Sequence, residues 1–295
     1  NKKNKGGRAM TSRGAALVSM HLATLLFGVS GVFGRLTACS AEMIVFGRTV
    51  FALGMLWLLF LCRGIRPWRG VDGRQAAGLA VSAVLLALHW FTFFLGIKTG
   101  GVAVGTLGFA CFPAFVAVFE HLFFHERITR TEKWLILAVT CGLVLVAPSY
   151  DFGDRGTEGL LWGIVSGAIY ALNAVSNRRN VGSMSGEQAC WWQYAFIAPL
   201  TLPLVAQELP SVSGMDWLWL ACLGLLCSGL AYTLFVNSLR AIPARLAAIV
   251  IALEPLYAIL VSWVLLDEAP GLRTLAGGAL ILGAVVAAGL RRQPA

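Results

Sequence analysis

The chain has 295 residues, 58% of them hydrophobic and 13% charged, with 23 Lys and Arg against 14 Asp and Glu for a formal charge of +9. A soluble domain carries about a quarter charged residues, so the composition excludes a water-soluble fold and calls for an all-α membrane protein. The basic excess fits the tendency of Lys and Arg to stay on the cytoplasmic side of a membrane, and it requires no nucleic-acid partner.

Residues 1–13 read as a basic cytoplasmic tail. Apolar runs of bilayer-spanning character then follow at 14–33, 43–62, 75–97, 101–123 and 134–147. They continue at 159–177, 188–205, 217–236, 246–266 and 274–290, which makes ten transmembrane helices, the fifth of them short. No A-x-A-like cleavage site follows the first run, which therefore reads as a retained span. With both termini inside, 18 of the 23 Lys and Arg fall on the cytoplasmic side, including Arg63, Arg66, Arg69, Arg74 and the C-terminal residues 291–295. Arg35, Arg48, Lys98, Arg155 and Arg273 fall toward the other side, where residues 150–158 form an acidic external loop. The seven cysteines are scattered without a CxxC pair and read as small buried apolar residues.

The spans repeat. Sliding residues 76–147 forward by 142 positions lays them on 218–289 without a gap. Pro113 then meets Pro255, Lys98 meets Arg240, Glu126 meets Glu268, and His89-Trp90 meet Ala231-Tyr232. The earlier spans match at offsets of about 143 to 145, with Phe27, Ser30 and Arg35 meeting Tyr170, Asn173 and Arg178. Five spans per half is an odd number, so the second half enters the membrane from the opposite side. Two inverted five-helix repeats around a central cavity are a recurrent architecture of secondary transporters, with the substrate site near mid-depth.

Polar groups inside spans are costly and usually face the bundle interior or water, so they map the expected cavity. His89 lies mid-span, sharing a helical face with Ser82, Leu86 and Phe93. It reads either as an imidazole that binds substrate and titrates near neutral pH, or as a neutral histidine bonded to a neighbouring helix. Tyr170, Asn173 and Asn177 form one polar stripe, and Phe27 and Ser30 hold the matching positions on the first span. Their uncharged groups suit a solute with hydrogen-bonding ends; the plainer use is adhesion between helices. The rings of Trp90, Phe93, Phe112 and Tyr232 add apolar contacts to the candidate substrate-binding set.

Glu254 stands next to Pro255 about 3 Å from mid-depth, at 1.5 Å per residue from the centre of its run. Pro113 and Pro255 read as helix kinks, since proline removes a backbone donor and clashes with the preceding turn. The proline recurs in both halves and the acid in only one. Glu254 belongs to the candidate substrate-binding set, as a carboxylate for a substrate ammonium, and with His89 is the candidate for proton coupling; its plainer reading is an acid donating a hydrogen bond in the packing. Arg48 reads as the ion-pair partner of Glu42 near the outer interface, or as facing an anionic group that enters or leaves the cavity, with pairing favoured. Trp191 and Trp192 read as interfacial aromatics. The stretch EHLFFHE (120–126) has His121 and His125 at i,i+4 but no further ligand at useful spacing, so no metal site is expected. The small-residue run at 275–289 serves packing within the bundle or pairing with a second copy as a homodimer.

The segment LRAIPARLAAIVIALEPLYAILVSWVLLDEAPGLRTLAGGALILGAVV (239–286) resembles the ninth and tenth helices of EamA-type transporters of the drug/metabolite transporter superfamily. ALHWFTFFLGIKTG (87–100) and SGLAYTLFVNSLRAIPA (228–244) resemble that family's third and eighth helices. The His-Trp pair and the aromatic-rich spans are similar to bacterial amino-acid exporters of the YddG type. The resemblance covers nearly the whole chain after the basic tail and implies EamA-like repeats at 14–149 and 159–290. It implies a multi-pass protein of the bacterial inner membrane that exports small organic solutes by alternating access, with amino acids, aromatic or hydrophobic, favoured over other metabolites or drugs. No cofactor is implied, and no GxxxxGK[ST] loop for nucleotide is present. A membrane enzyme is disfavoured, because no nucleophile–base pair, HExxH or dense carboxylate cluster is visible, and a channel or sensor is disfavoured by the inverted halves and the lack of a soluble signalling domain in the sequence.

Overall fold

The computed structural model describes residues 13–149, 151, 153–180, 184–238 and 250–291. Within these the chain is helical, and no strand occurs among the described residues. Helix α1 spans Arg13–Leu36, α2 Ala41–Cys62, α3 Gly73–Gly100, α4 Val102–Phe109, α5 Phe112–Phe124 and α6 Arg130–Val146. Then come α7 Arg155–Asn180, α8 Gly186–Val205, α9 Gly214–Cys222, a π-helical stretch Leu223–Leu230, α10 Ala231–Ser238, α11 Glu254–Leu266 and α12 Leu272–Arg291. Among the described residues, seven helical segments are long and apolar enough to cross a membrane, and Glu254–Leu266 is a shorter apolar helix. The protein is a multi-pass membrane protein.

Start signals in the sequence set several boundaries. Ser40, Ser185 and Ser213 accept from the backbone N–H three residues on, and Asp72/Gln75 and Thr129/Glu132 close full capping boxes. Each satisfies donors that the first turn of a helix leaves open. The basic tail and the C-terminal residues lie outside the described residues, except Arg13 and Arg291. So do residues 239–249, which carry the start of the ninth expected span and the LRAIPARLAAI part of the quoted resemblance. Residues 150 and 152 of the acidic loop are outside as well.

The two proline sites are sharper than kinks. The expected fourth span stops at Phe109, turns at Ala110-Cys111 and restarts at Phe112 with Pro113 in its first turn. The ninth turns at Ala252-Leu253 and restarts at Glu254 with Pro255 in its first turn. Proline is pre-organised for that position and needs no N–H there, so it starts a new helix where an interior position would have bent an old one. Helices α5 and α11 are each 13 residues long, 142 positions apart. Both end on a left-handed residue, His125 (φ 56, ψ 24) and Asp267 (φ 57, ψ 24). The sequence repeat is thus a repeat in backbone conformation.

Close helix crossings are made by glycine. A Cβ on Gly159 of α7 would lie 2.4 Å from Gly100 Cα of α3, and one on Gly163 would lie 2.5 Å from the Gly105 carbonyl of α4. Only hydrogen fits at these two positions, and small residues are what let membrane helices approach so closely. Gly277 of α12 meets the Gly142 carbonyl of α6 in the same way, at 2.6 Å from its would-be Cβ. The small-residue run is therefore used, at Gly277, for packing inside the chain. Helix α3 packs on α7, as α1 packs on the π stretch and α10; α5 packs on α7, as α11 packs on α1; α2 packs on α8 and α6 on α12, and α4 also packs on α7.

Candidate functional site

Arg48 of α2 organises the interior. It is 5% exposed, and its Nε and Nη2 donate to Ser228 Oγ at 3.1 and 2.8 Å. Its guanidinium carbon lies 4.1 Å from the Trp90 ring centroid and 5.3 Å from that of Phe94, inside the range of a cation–π contact. The expected pairing with Glu42 is not made: Arg48 has no carboxylate partner among the described residues, where the ion pairs are Arg35–Glu268 and Arg63–Glu187. The reason is local. Ser228 sits in the π-helical stretch, where its hydroxyl donates to the Leu223 carbonyl five residues back. A Cβ on Gly224 would lie 2.6 Å from the Arg48 carbonyl, so glycine brings this stretch against α2. π-helical turns are often found at functional positions.

His89 is buried between α3 and α7. Ser166 Oγ donates to the His89 carbonyl at 3.0 Å, so the 2.8 Å contact between Ser166 Oγ and His89 Nδ1 has the ring donating. That assigns the proton to Nδ1 and leaves Nε2 without a hydrogen bond among the described residues. The ring faces Tyr170 at 4.7 Å, Phe109 at 5.1 Å and Phe93 at 6.0 Å between centroids. Phe112 completes this wall, stacked on Phe109 at 5.3 Å and edge-on to Tyr170 at 5.4 Å. One nitrogen thus fastens α3 to α7, and the rest of the ring lies against the aromatic wall.

The polar stripe of α7 forms as expected and gains a member. Gln193 of α8 donates to Asn177 Oδ1 at 3.3 Å, and Asn177 donates to Asn173 Oδ1 at 3.5 Å. Trp90 faces Tyr194 at 5.8 Å between ring centroids. Glu254 opens α11, where a carboxylate opposes the partial positive end of the helix. It lies within electrostatic range of Arg48, Tyr170 and Cys227. Phe27 stands apart from the His89 wall and meets Phe235 at 6.3 Å. Ser30 is buried on α1 with no side-chain hydrogen bond recorded among the described residues. Trp191 has a buried indole N–H without an acceptor.

Sequence reasoning gave Arg48 a place toward the cavity only as its second reading, and missed Ser166, Phe109, Tyr194 and Ser228. The available signal was Arg48 itself, a cation inside an apolar run. Among the described residues no group of three or more His, Cys, Asp or Glu is arranged to hold a metal.

One end of the bundle is tied by charge. Arg35 donates to Glu268 Oε1 at 3.2 Å, and Glu268 Oε2 accepts from the Val102 N–H at 2.9 Å, at the start of α4. Lys98 donates to the Thr37 carbonyl at 2.9 Å, and Thr37 Oγ1 to Asp216 at 2.8 Å. Ser40 bonds Glu208 through both its backbone N–H and its hydroxyl.

The model of the EamA-like transporter family matches residues 14–147 and again 157–290. The chain belongs to that family; it is a transporter, not an enzyme, and it binds a small-molecule substrate within a lipid bilayer. An uncharacterized transporter of Archaeoglobus fulgidus is 28% identical over 288 residues, 95% of this chain and 97% of that one. The pseudopaline exporter CntI of Pseudomonas aeruginosa PAO1 is 23% identical over 270 residues, 90% and 93% of the two chains. The chloramphenicol-sensitive protein RarD of the same strain is 24% identical over 273 residues, 86% of each. A crystal structure superposes with a TM-score of 0.66 at 19% identity, covering 95% of this chain and 98% of the other. At that identity the likeness concerns the fold alone.

Proposed function

We propose that this protein exports small zwitterionic organic solutes, amino acids with aromatic or hydrophobic side chains favoured, by alternating access. The observation that carries the reading is the state of Arg48. A guanidinium has five N–H donors; two of these reach Ser228, and no carboxylate lies within ion-pair distance among the described residues, Glu254 acting only from further off. A buried cation with donors to spare is matched by a substrate carboxylate, which accepts two parallel bonds. Glu254, at the far side of the same electrostatic neighbourhood, suits the ammonium group. The rings of His89, Trp90, Phe93, Phe112, Tyr170 and Tyr232 suit an apolar side chain, with Asn173, Asn177, Phe27 and Ser30 in the remaining wall.

The reading includes ten spans as two inverted five-helix repeats, 14–149 and 159–290. Its support is that several pairings recur when the two halves are exchanged: α3 on α7 becomes the π stretch and α10 on α1, α5 on α7 becomes α11 on α1, and α2–α8 and α6–α12 map onto themselves. It also includes a bacterial inner membrane with both termini cytoplasmic, on the distribution of Lys and Arg. A homodimer is not required, since Gly277 of α12 is taken up by α6.

The test is counterflow in liposomes loaded with unlabelled phenylalanine. Labelled phenylalanine accumulates saturably, and leucine and tyrosine compete, while phenethylamine and phenylpropionate, which lack one charge each, compete poorly. Background rates for every amino acid, with counterflow of a metabolite that lacks either charge, would refute the substrate class. The name of the relative CntI supports a second reading, export of another metabolite, which the same assay separates by competition.

A further inference from the structure

The connection between α2 and α3 is held onto α8 by a set of bonds that the transport reading does not use. Gln188 donates to the carbonyls of Pro67 at 2.7 Å and Arg69 at 3.2 Å, and Trp192 Nε1 donates to the Pro67 carbonyl at 3.1 Å. Arg63 is tied to Glu187 at 2.9 Å. Trp68, between Arg66 and Arg69 in sequence, stacks on Trp57 at 5.9 Å, and Trp57 stacks on Trp191 at 5.8 Å. The loop is therefore a fixed platform. It presents Arg66 and Arg69 exposed, with no ion-pair partner among the described residues.

Beside this platform runs an apolar groove of about 300 Å³, lined by Val50, Leu53, Gly54, Trp57 and Trp191. Its α2 residues recur at three, four and seven positions, one face of a helix. They cover about 10 Å of depth at 1.5 Å per residue. Gly54 is the floor: a Cβ there would meet nothing within 4 Å. Val50 and Trp57 are 40% and 37% exposed on this outer surface, which faces hydrocarbon. Indole rings favour the headgroup level, so the Trp57–Trp68 pair marks where the groove meets the membrane boundary and the guanidinium groups begin.

We infer that this groove and platform form a site for one anionic phospholipid, with an acyl chain along Gly54 and the phosphate at Arg66 and Arg69. Hydrocarbon fits the groove whatever the headgroup; the two unpaired arginines supply the selection. Basic side chains at a membrane surface attract anionic lipid strongly enough that two of them give roughly tenfold enrichment over a zwitterionic lipid. The inference does not depend on the identity of the transported solute.

The test uses the full chain, extracted from vesicles of equal phosphatidylglycerol and phosphatidylcholine with matched acyl chains, and counts retained lipids by native mass spectrometry. The intact protein retains phosphatidylglycerol about tenfold over phosphatidylcholine. Arg66→Gln with Arg69→Gln retains both lipids equally. Gly54→Leu, which fills the floor, loses the retained lipid while its unfolding temperature in lipid-free detergent is unchanged. Arg127→Gln, an exposed arginine of another connection, keeps the enrichment. Equal retention by the intact protein, an equal loss in Arg127→Gln, or full retention in Gly54→Leu each overturns the site.

Discussion

The Arg48 guanidinium lies over the Trp90 ring at 4.1 Å and donates twice to Ser228, so a cation from α2, a ring from α3 and a hydroxyl from the π-helical stretch meet at one point. Arg48→Lys keeps the charge and loses the planar fork that fits a carboxylate. Charge-assisted bonds are worth about 1.5–3 kcal/mol, so KM for an amino acid rises roughly 10- to 100-fold. Counterflow titration of the variant measures this. A KM unchanged for phenylalanine would remove Arg48 from the site.

Glu254→Gln keeps the shape and the hydrogen-bonding capacity of the side chain while removing its charge. If the carboxylate carries the coupling proton, flux through the variant no longer responds to an imposed pH gradient, whereas exchange at equal pH persists. The comparison is made on one batch of vesicles, with and without the gradient. A full response in the variant assigns Glu254 to packing.

Ser166→Ala removes the nearer of the two acceptors of the His89 ring, the hydroxyl at 2.8 Å, and leaves the Ser166 carbonyl at 3.3 Å. Interhelical bonds in membranes average about 0.6 kcal/mol, so thermal stability changes little. Transport falls further than stability does, because the ring loses its orientation against Tyr170 and Phe109. His89→Ala costs at least as much transport. Equal rates for Ser166→Ala and the parent sequence would show that the orientation is unimportant.

Gly163→Leu forces a side chain into a site where even a Cβ would lie 2.5 Å from the Gly105 carbonyl. Overpacking costs about 1–3 kcal/mol or more, so the variant unfolds at lower temperature and elutes heterogeneously in size-exclusion chromatography. Gly54→Leu, on the open face of α2, does neither.

Arg35→Gln breaks an ion pair whose side chains are 43% and 24% exposed. Exposed pairs contribute about 0–1 kcal/mol, so stability is nearly unchanged. The pair does, however, join α1 to Glu268, which also holds the first N–H of α4. Weakening that tie makes a cysteine introduced at Thr106 of α4 more reactive to a membrane-impermeant maleimide added on that side. Unchanged labelling would confine the pair to a passive role.

Much of the helical layout was legible because apolar runs and their punctuation survive any tertiary context. Caps such as Ser40, Asp72 and Thr129 lie beside the turns they close, and the Pro113–Pro255 correspondence needs no contact information. The breaks at Ala110-Cys111 and Ala252-Leu253 were flagged only as kinks, since proline in sequence does not say whether the preceding turn persists. The site was less legible. Arg48 finds Ser228 180 positions away and His89 finds Ser166 77 away, and no local pattern encodes such pairs. Polarity was a sound guide to which side chains turn inward, and it named Tyr170, Asn173, Asn177 and His89. It is a poor guide to partners: Glu42, the favoured partner of Arg48, forms no ion pair with it among the described residues.

The matched interruptions before Phe112 and Glu254 have a thermodynamic consequence. Two segments of equal length, begun by proline and ended by the same left-handed residue geometry, have nearly the same intrinsic bending energy. Straightening one while the other stays bent then resembles the reverse exchange, and the free-energy gap between the two arrangements is small before any solute binds. What tilts that balance is the difference between the copies, a carboxylate in one and a phenyl ring in the other.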